Sequence, residues 1–241
     1  RSCDCNQADV VFAVNTHAKY RQRRDHLREE FERTALSSNT SFCLYFVAGI
    51  ASNVNYVNAF FDEGDEYRDV IIGGFRESYR NLTMKSLFLV RFMKTFCPRA
   101  KFVVKFDDDL RVNASTALRS IEGIEEGKNA VYGLVSSRGE VFRDAKHKWF
   151  VSRQLHRPWY LPDYTLGIAY ALSPAAVRSI VEAADRFPYY CEVEDVFLTG
   201  ILARRAGVAR LNMTAAWATY HSWEAPLLRT GARAFVPLVD H

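Results

Sequence analysis

The chain has 241 residues, 49% hydrophobic and 25% charged, which is enough for one large core and too apolar for a disordered segment. Thirty-two Lys and Arg against 28 Asp and Glu leave a formal net charge of +4 with no block of like charge, so nucleic-acid binding is not the default reading. The longest apolar stretch, Cys43 to Ala51, is nine residues, about half of what a membrane-spanning helix requires. The first residue is Arg1 rather than Met, and an upstream anchor or signal is expected in the full gene product.

Short β-rich runs alternate with helical ones along the chain. Asp9 to Val14 reads as a buried strand, and Tyr20 to Leu36 as a charged helix with Leu27, Phe31 and Ala35 on one face. Phe42 to Val47 is a second strand, Val54 to Phe61 a helix, Asp69 to Ile72 a short strand, and Leu82 to Phe96 an apolar helix closed by Pro98. Next come a strand at Lys101 to Phe106, a helix opening near Asn113, and a strand at Ala130 to Val135. The second half is more mixed, with short segments around Val141 and Trp149 and an apolar strand at Gly167 to Leu172. Ser173-Pro174 starts a helix that runs to about Asp185, and a last helix from near Asp195 ends at Gly207. This alternation predicts an α/β fold around a largely parallel sheet covered on both faces. No repeat or linker interrupts it, so residues 1–241 are expected to form one domain.

Sequons of the Asn-x-Ser/Thr type begin at Asn39, Asn81, Asn113 and Asn212, where ten asparagines give about one by chance. They suggest a secretory route, although Asn113 also suits a helix cap and Asn81 precedes a helical run. The five cysteines, Cys3, Cys5, Cys43, Cys97 and Cys191, show neither a Cys-x-x-Cys pair nor a His at zinc spacing. In an oxidising lumen they allow at most two internal disulfides, with the connectivity open.

Chemistry concentrates where the strand Lys101 to Phe106 runs into Asp107-Asp108-Asp109. Adjacent carboxylates raise each other's pKa, and a divalent cation is the economical way to keep them ionised together. Hard oxygen ligands favour magnesium or manganese, completed by water and substrate phosphates. The carboxyl end of a strand in an open α/β sheet is also where ligands bind. The plainer alternative is a solvated Asp-rich loop capping the next helix. Glu194-Asp195 opens an apolar helix, where the dipole stabilises negative charge and where a carboxylate is available to accept a proton. His221 is either a satisfied histidine or an imidazole ligand for manganese. Arg23-Arg24 and Arg28 are either a solvated helix face or a clamp for diphosphate.

Taken together, these blocks resemble the β-1,3-glycosyltransferase family of β-1,3-galactosyltransferases and β-1,3-N-acetylglucosaminyltransferases, glycosyltransferase family 31, with the Fringe enzymes as distant relatives. The resemblance is carried by Arg23-Arg24-Asp25-His26-Leu27-Arg28, by Tyr67-Arg68-Asp69-Val70, by Glu77 through Lys85, and by Cys97 through Asp109. It continues in Lys148-Trp149-Phe150-Val151-Ser152, in Tyr164 and Gly167 with Tyr170-Ala171-Leu172-Ser173, and in Glu194-Asp195-Val196-Phe197 with Gly200. Seven blocks in family order cover most of the chain.

The resemblance implies a GT-A fold, a Rossmann-like α/β/α sandwich with a mixed, mostly parallel sheet. Its nucleotide-sugar half would span about 1–135 and its acceptor-side half about 136–241. It implies a UDP-sugar donor, Mn2+ or Mg2+ held by Asp109 and His221, and Asp195 as catalytic base. Substrate contacts fall on Thr16, Arg24, Arg28, Lys85, Asp107, Asp108, Lys148, Trp149, Tyr164, Gly167 and Glu194. It further implies inverting transfer to the 3-hydroxyl of a glycan on a glycoprotein, glycolipid or proteoglycan, in the Golgi lumen, with a type II anchor as the sole membrane contact and no nucleic-acid partner. Glu30-Phe31 in place of Thr-Trp, Glu77 in place of Asp, and Arg111 in place of an aromatic depart from the pattern. They leave the donor sugar and the acceptor open. The sequon at Asn113 is expected to be unused, being so near the triplet. One rival is a catalytically silent GT-A protein that binds glycans or assists a transferase; the intact acids argue against it. A second, from another class, is a metal-dependent phosphodiesterase or nucleotidyltransferase using the same aspartates, which would demand two metals and more carboxylates or histidines than the chain assembles.

Overall fold

In a computed structural model, which describes residues 3–219 and 221–238, the first strand, β1 (Val10–Asn15), is buried along its whole length. A strand covered on both faces by helices has no side that meets water, and for that reason its sequence runs apolar without alternation. It is followed by α1 (Arg21–Ala35), β2 (Phe42–Ile50), α2 (Val54–Tyr67), β3 (Val70–Arg76), α3 (Leu82–Phe96) and β4 (Phe102–Asp107). These four strands are all parallel, with β2 and β4 flanking β1 and β3 outside β2. A short β5 (Leu110–Val112) leads into α4 (Ala114–Glu122), and then come β6 (Ala130–Ser136), β7 (Tyr164–Leu172) and α5 (Pro174–Arg186). A π-helical segment, Val196–Leu202, runs on into α6 (Ala203–Arg205), followed by β8 (Ala209–Asn212), α7 (Pro226–Arg229) and β9 (Phe235–Pro237).

The main sheet has the order β3-β2-β1-β4-β7-β6-β8. Only β7 runs antiparallel to its neighbours, β4 and β6, while β8 is parallel to β6. One core layer packs α3, α5 and the π-helix on the sheet through Leu89, Val90, Met93, Ile180 and Leu198. The other packs α1 and α4 through Leu27, Phe31, Ala117, Leu118 and Ile121. This is the expected three-layer α/β arrangement with a mixed, mostly parallel sheet. A second, two-stranded sheet joins β5 to β9.

Local signals place most elements. Ser173 accepts from the Ala176 N–H with Pro174 in the first helical turn, Asn113 accepts from the Thr116 N–H, and Gly207 takes a left-handed φ of 66°. The helix α2 runs one and a half turns beyond the expected Phe61, because Glu63 is buried by ion pairs rather than solvated in a loop. The short strands β5, β8 and β9 have no counterpart in the sequence reading. Among the described residues, no helix is long and apolar enough to cross a membrane.

Two disulfides, Cys3–Cys43 and Cys5–Cys97, tie the N-terminal segment to β2 and to the end of α3, and Cys191 is free and buried. Cys5 and Cys97 are 92 residues apart, so their link removes much of the unfolded chain's freedom. Replacing both by Ser should lower the unfolding free energy by about 2 to 5 kcal/mol, measured by urea titration under non-reducing conditions. An unchanged midpoint would show that the N-terminal segment holds without its staple.

Candidate active site

The register of β1 against β4 pairs Asn15 with Asp107, so the residues that follow emerge side by side at the carboxyl edge of the sheet. Thr16 Oγ1 donates to Asp108 Oδ2 at 2.6 Å, and Arg23 Nη1 donates to Asp108 Oδ1 at 2.9 Å. Asp108 is thereby buried with both oxygens engaged. Asp107 is one-third exposed at its side chain. Asp109 is half-buried, and its carbonyl accepts from the Leu238 N–H at 2.9 Å, which ties the end of the triplet to the β9 segment.

Beneath the triplet lies Lys105, a cation with 2% of its side chain exposed. Its Nζ donates to the Gly167 carbonyl at 2.8 Å and stands 2.9 Å from Asp107 Oδ1 and 3.5 Å from Glu194 Oε2. The contact to Asp107 has ion-pair distance but not hydrogen-bond angle, so that oxygen is buried without a hydrogen bond. Burial alone would strip the ammonium of its proton; Asp107 and Glu194 reverse this and push its pKa above the ordinary lysine value. Glu194 Oε1 in turn accepts from the Tyr170 hydroxyl at 2.6 Å.

Asp195 is partly exposed and caps the π-helix. Its Oδ2 accepts from the Gly167 N–H at 2.9 Å and its Oδ1 from the Val196 N–H at 2.8 Å. Burial and then the neighbouring Glu194 push its pKa up to about 6, against the opposing pull of the two amides and Lys105. Gly167 lies directly against both acids: a Cβ on it would stand 3.4 Å from Asp195 Oδ2 and 3.5 Å from Glu194 Oε2, at van der Waals contact. Tyr164 lies half-buried nearby, its phenol raised by burial and by Asp195. The structure thus brings Asp107, Glu194, Asp195, Gly167 and Tyr164 to one place, with Thr16 and Asp108 beside them.

Arg24, Arg28 and Lys85 are placed differently from the expectation of direct substrate contact. Arg24 is fully buried and donates to both Glu63 oxygens, at 2.8 and 2.6 Å, and to Thr16 Oγ1 at 3.2 Å. Arg28 donates to Glu63, Asp25 and Asp69. Lys85 donates to the Thr16 carbonyl at 2.6 Å and to Glu77 at 2.9 Å. All three are held by scaffold partners; Arg24 and Lys85 contact Thr16, and Arg28 joins them through Glu63. Arg23, the half-exposed member of the arginine run, is the one that reaches the triplet.

Lys148 and Tyr79 line a cavity of about 570 Å³ together with Phe150, Tyr190, Cys191 and Glu192, next in sequence to Glu194. Trp149 is half-exposed, with Lys148 Nζ 5.6 Å from its ring centre. A second cavity, about 620 Å³, is lined by Thr116, Arg119, Tyr132, Leu211 and Met213 and by none of these acids, so its size does not make it the site. His221 is exposed. It reaches the triplet's side of the molecule because Ala218 bridges β9, which itself pairs with β5.

Among the described residues, no three His, Cys, Asp or Glu side chains converge into a metal cage. A carboxylate with an imidazole, the donor set of Asp109 and His221, is of the kind that a hard divalent cation takes, with its remaining ligands supplied by diphosphate and water.

The galactosyltransferase family model matches residues 22–214. The chain belongs to the galactosyltransferase family. Over 207 residues, 84% of this chain and 53% of the relative, this family member is 28% identical to human N-acetyllactosaminide β-1,3-N-acetylglucosaminyltransferase 4. Over 214 residues, 86% and 57%, it is 26% identical to mouse lactosylceramide 1,3-N-acetyl-β-D-glucosaminyltransferase. The chain spans about half the length of these curated relatives. Its fold matches the apo WbbM bifunctional glycosyltransferase with a TM-score of 0.56 at 11% identity, covering 98% of this chain and 46% of that one. It also matches a glycosyltransferase involved in glycosylating the major capsid of PBCV-1, with a TM-score of 0.51 at 9% identity, covering 96% and 94%. The fold is GT-A.

In this galactosyltransferase-family chain, sequence reasoning misses Lys105, Tyr170 and Glu63 as parts of the site's frame. A lysine inside the run Val103-Val104-Lys105-Phe106 is the one available signal, because a buried strand tolerates a cation only with a partner. Glu63 gives a direct test of the frame. Burial alone raises its pKa, but hydrogen bonds from Arg24 and Arg28 more than reverse this and hold it below the ordinary value. Its stabilisation is therefore present above the unfolded Glu pKa and is lost as pH falls through the depressed folded one. Glu63→Gln should cost about 3 to 5 kcal/mol at neutral pH, with the gap to the native chain closing only in acid. Equal urea midpoints at neutral pH would remove the network from the frame.

Proposed function

We propose that the chain is an inverting glycosyltransferase that moves a hexose or N-acetylhexosamine from a UDP-sugar to the 3-hydroxyl of a glycan acceptor, forming a β-1,3 linkage. The observation that carries this reading is Asp195, a partly exposed carboxylate held by two backbone N–H groups and raised to about 6 beside an acid-lined sheet edge. Such a group is ionised at neutral pH yet basic enough to take a hydroxyl proton in the transition state. Asp195 accepts that proton as the acceptor oxygen bonds to the anomeric carbon, and the bond from that carbon to the diphosphate oxygen breaks with its electron pair leaving on UDP. The proton ends on Asp195 and the anomeric configuration inverts. Glu194, fixed by Tyr170 and Lys105, orients the sugar or acceptor next to the base. Asp107 and Asp108 face the donor, and the Lys148 and Trp149 side of the adjoining cavity receives the acceptor.

Asp109 and His221 would hold a divalent cation, Mn2+ or Mg2+, whose chemistry is to neutralise charge on the departing diphosphate. The relatives' names make UDP-N-acetylglucosamine the first donor to try and lactose-type glycans, free or on lipid, the first acceptors. The two disulfides support a secretory compartment, which for this family reading is the Golgi lumen, with the full-length protein anchored as a type II membrane protein.

The test is acceptor-stimulated UDP release with manganese. Asp195→Asn should abolish transfer and spare UDP binding, while Asp109→Asn should weaken metal-dependent UDP binding; continued transfer by the Asp195→Asn variant would move the base elsewhere. UDP binding without transfer from any donor would favour the silent reading. The turnover rate should fall about tenfold per pH unit below about 6, as the base becomes protonated. Lys105→Met removes a cation that stabilises ionised Asp195, the other ionisable groups coupled to it being Glu194, Tyr164 and Cys191. It should move that acid limb to higher pH and lower kcat while leaving the UDP dissociation constant within about threefold. An unmoved limb would show that Lys105 only fills space.

A further inference from the structure

Four sequons are present, and the fold separates them into two kinds. At Asn113 the side chain is used at both ends: Oδ1 accepts from the Thr116 N–H and Nδ2 donates to the Leu228 carbonyl, each at 2.8 Å. Its own N–H donates to the Ala234 carbonyl, so the residue is clamped between α4 and the α7–β9 segment. At Asn81 the half-buried Nδ2 donates to the Arg76 carbonyl at 2.8 Å, and the sequon's Thr83 is buried with its hydroxyl on the Cys191 carbonyl at 2.7 Å. A sugar on either Nδ2 has to take space that the fold fills with protein.

Asn39 and Asn212 differ from both. Asn39 is exposed in the turn between α1 and β2, at the amino end of the parallel strands and so at the opposite end of the sheet from the acids. Its sequon serine, Ser41, donates its hydroxyl to Asp9 Oδ2 at 2.6 Å, which fixes the end of the turn without using the asparagine. Asn212 is exposed at the end of β8, the last strand of the main sheet. Its Oδ1 accepts from the Val135 N–H at 2.9 Å, which orients the amide and leaves Nδ2 as the atom directed away from that bond. The site stands three strand spacings from β4, about 14 Å, at the outer edge of the sheet.

We propose that Asn39 and Asn212 carry N-linked glycans when the chain passes through a secretory compartment, and that Asn81 and Asn113 stay bare. The compartment is supported by the two disulfides, and the assignment is independent of the catalytic reading. Oligosaccharide is added to asparagine while the chain is still folding, so the native fold decides which occupied sites are compatible with a secreted product. A glycan at the end of β8 also has a physical use: it blocks the open side of an edge strand from pairing with another chain.

The experiment is site-resolved mass spectrometry of the chain secreted from eukaryotic cells with a cleavable signal, with enzymatic deglycosylation in ¹⁸O water to mark each formerly occupied asparagine as Asp. The expected result is ¹⁸O-Asp at Asn39 and Asn212 only. Asn39→Gln and Asn212→Gln should each remove one glycan from the intact mass, and the double variant should leave none. Occupancy at Asn81 or Asn113, or either proposed site bare, would overturn the assignment.

Discussion

A single buried ammonium holds the site together. Lys105 lies on β4, points into the layer below the acidic triplet, and meets Asp107, Glu194 and the Gly167 carbonyl. These three come from β4 itself, from the segment ahead of the π-helix, and from β7, so one side chain joins three elements that are distant in sequence. Without a cation at that position, two carboxylates would be brought together in a poorly solvated place with nothing to offset their repulsion. Without the carboxylates, the lysine would lose its proton. Each charge is tolerated because of the other, and removing one partner leaves an uncompensated buried charge, the costly case.

The arginine network under α1 does the corresponding work at the β1–α1 loop. Arg24 and Arg28 close on Glu63 of α2 from one helix face, with Asp69 at the start of β3 completing the cluster. The network fixes the β1–α1 loop through Arg24 contacts to Thr16 and to the carbonyls of His17 and Ala18. Lys85 of α3 grips the same loop from the other side through the Thr16 carbonyl. Thr16 is thus immobilised before it meets a ligand, which reduces the ordering cost of binding. Arg23 is the more exposed counterpart: at 35% side-chain exposure it is held by Asp108 and by the ring of Tyr20, 4.1 Å away. Because Asp108 is only 8% exposed, drawing that guanidinium away would leave a buried carboxylate with Thr16 alone, a cost that a new partner has to offset.

Much of this is legible in the residues. The start of Pro174–Arg186 is marked by the Ser173 cap and its proline, and the acids at the end of an apolar strand point to the sheet edge where ligands bind. Glu63 is not legible, because a carboxylate among Asp62, Asp65 and Glu66 looks like a solvated helix end until tertiary structure brings two guanidiniums to it. Arg24 and Arg28 stand out in the sequence but suggest the wrong kind of contact, since spacing on a helix places them on one face without saying what covers it. The strands β8 and β9 are four and three residues long, too short for a period to register; β8 adds to the β6 edge of the main sheet, and β9 pairs with the equally short β5.

The π-helix explains how Asp195, the proposed base, is aimed. Asp195 contacts Gly167, Thr199 contacts Thr165, and Gly200 packs on Tyr164 and Pro162, where a Cβ would come within 3.1 Å of the tyrosine. The pairs descend β7 in order, so one face of the helical segment follows the strand from Asp195 to Gly200. In an α-helix, positions five apart are rotated well off a common face, whereas i→i+5 hydrogen bonding brings them close to one turn apart. The wider helix is the geometry that lets the base and the close-packed glycine touch the same strand. Its weaker backbone bonding is offset by the burial of all seven residues from Val196 to Leu202 and by the Thr199 hydroxyl, which accepts from the Thr165 N–H at 3.0 Å and lies 2.9 and 2.7 Å from the Thr165 and Asp195 carbonyls. A return to α-helical register would rotate Asp195 away from the Gly167 N–H. The π segment is therefore part of the positioning of the base rather than an irregularity beside it.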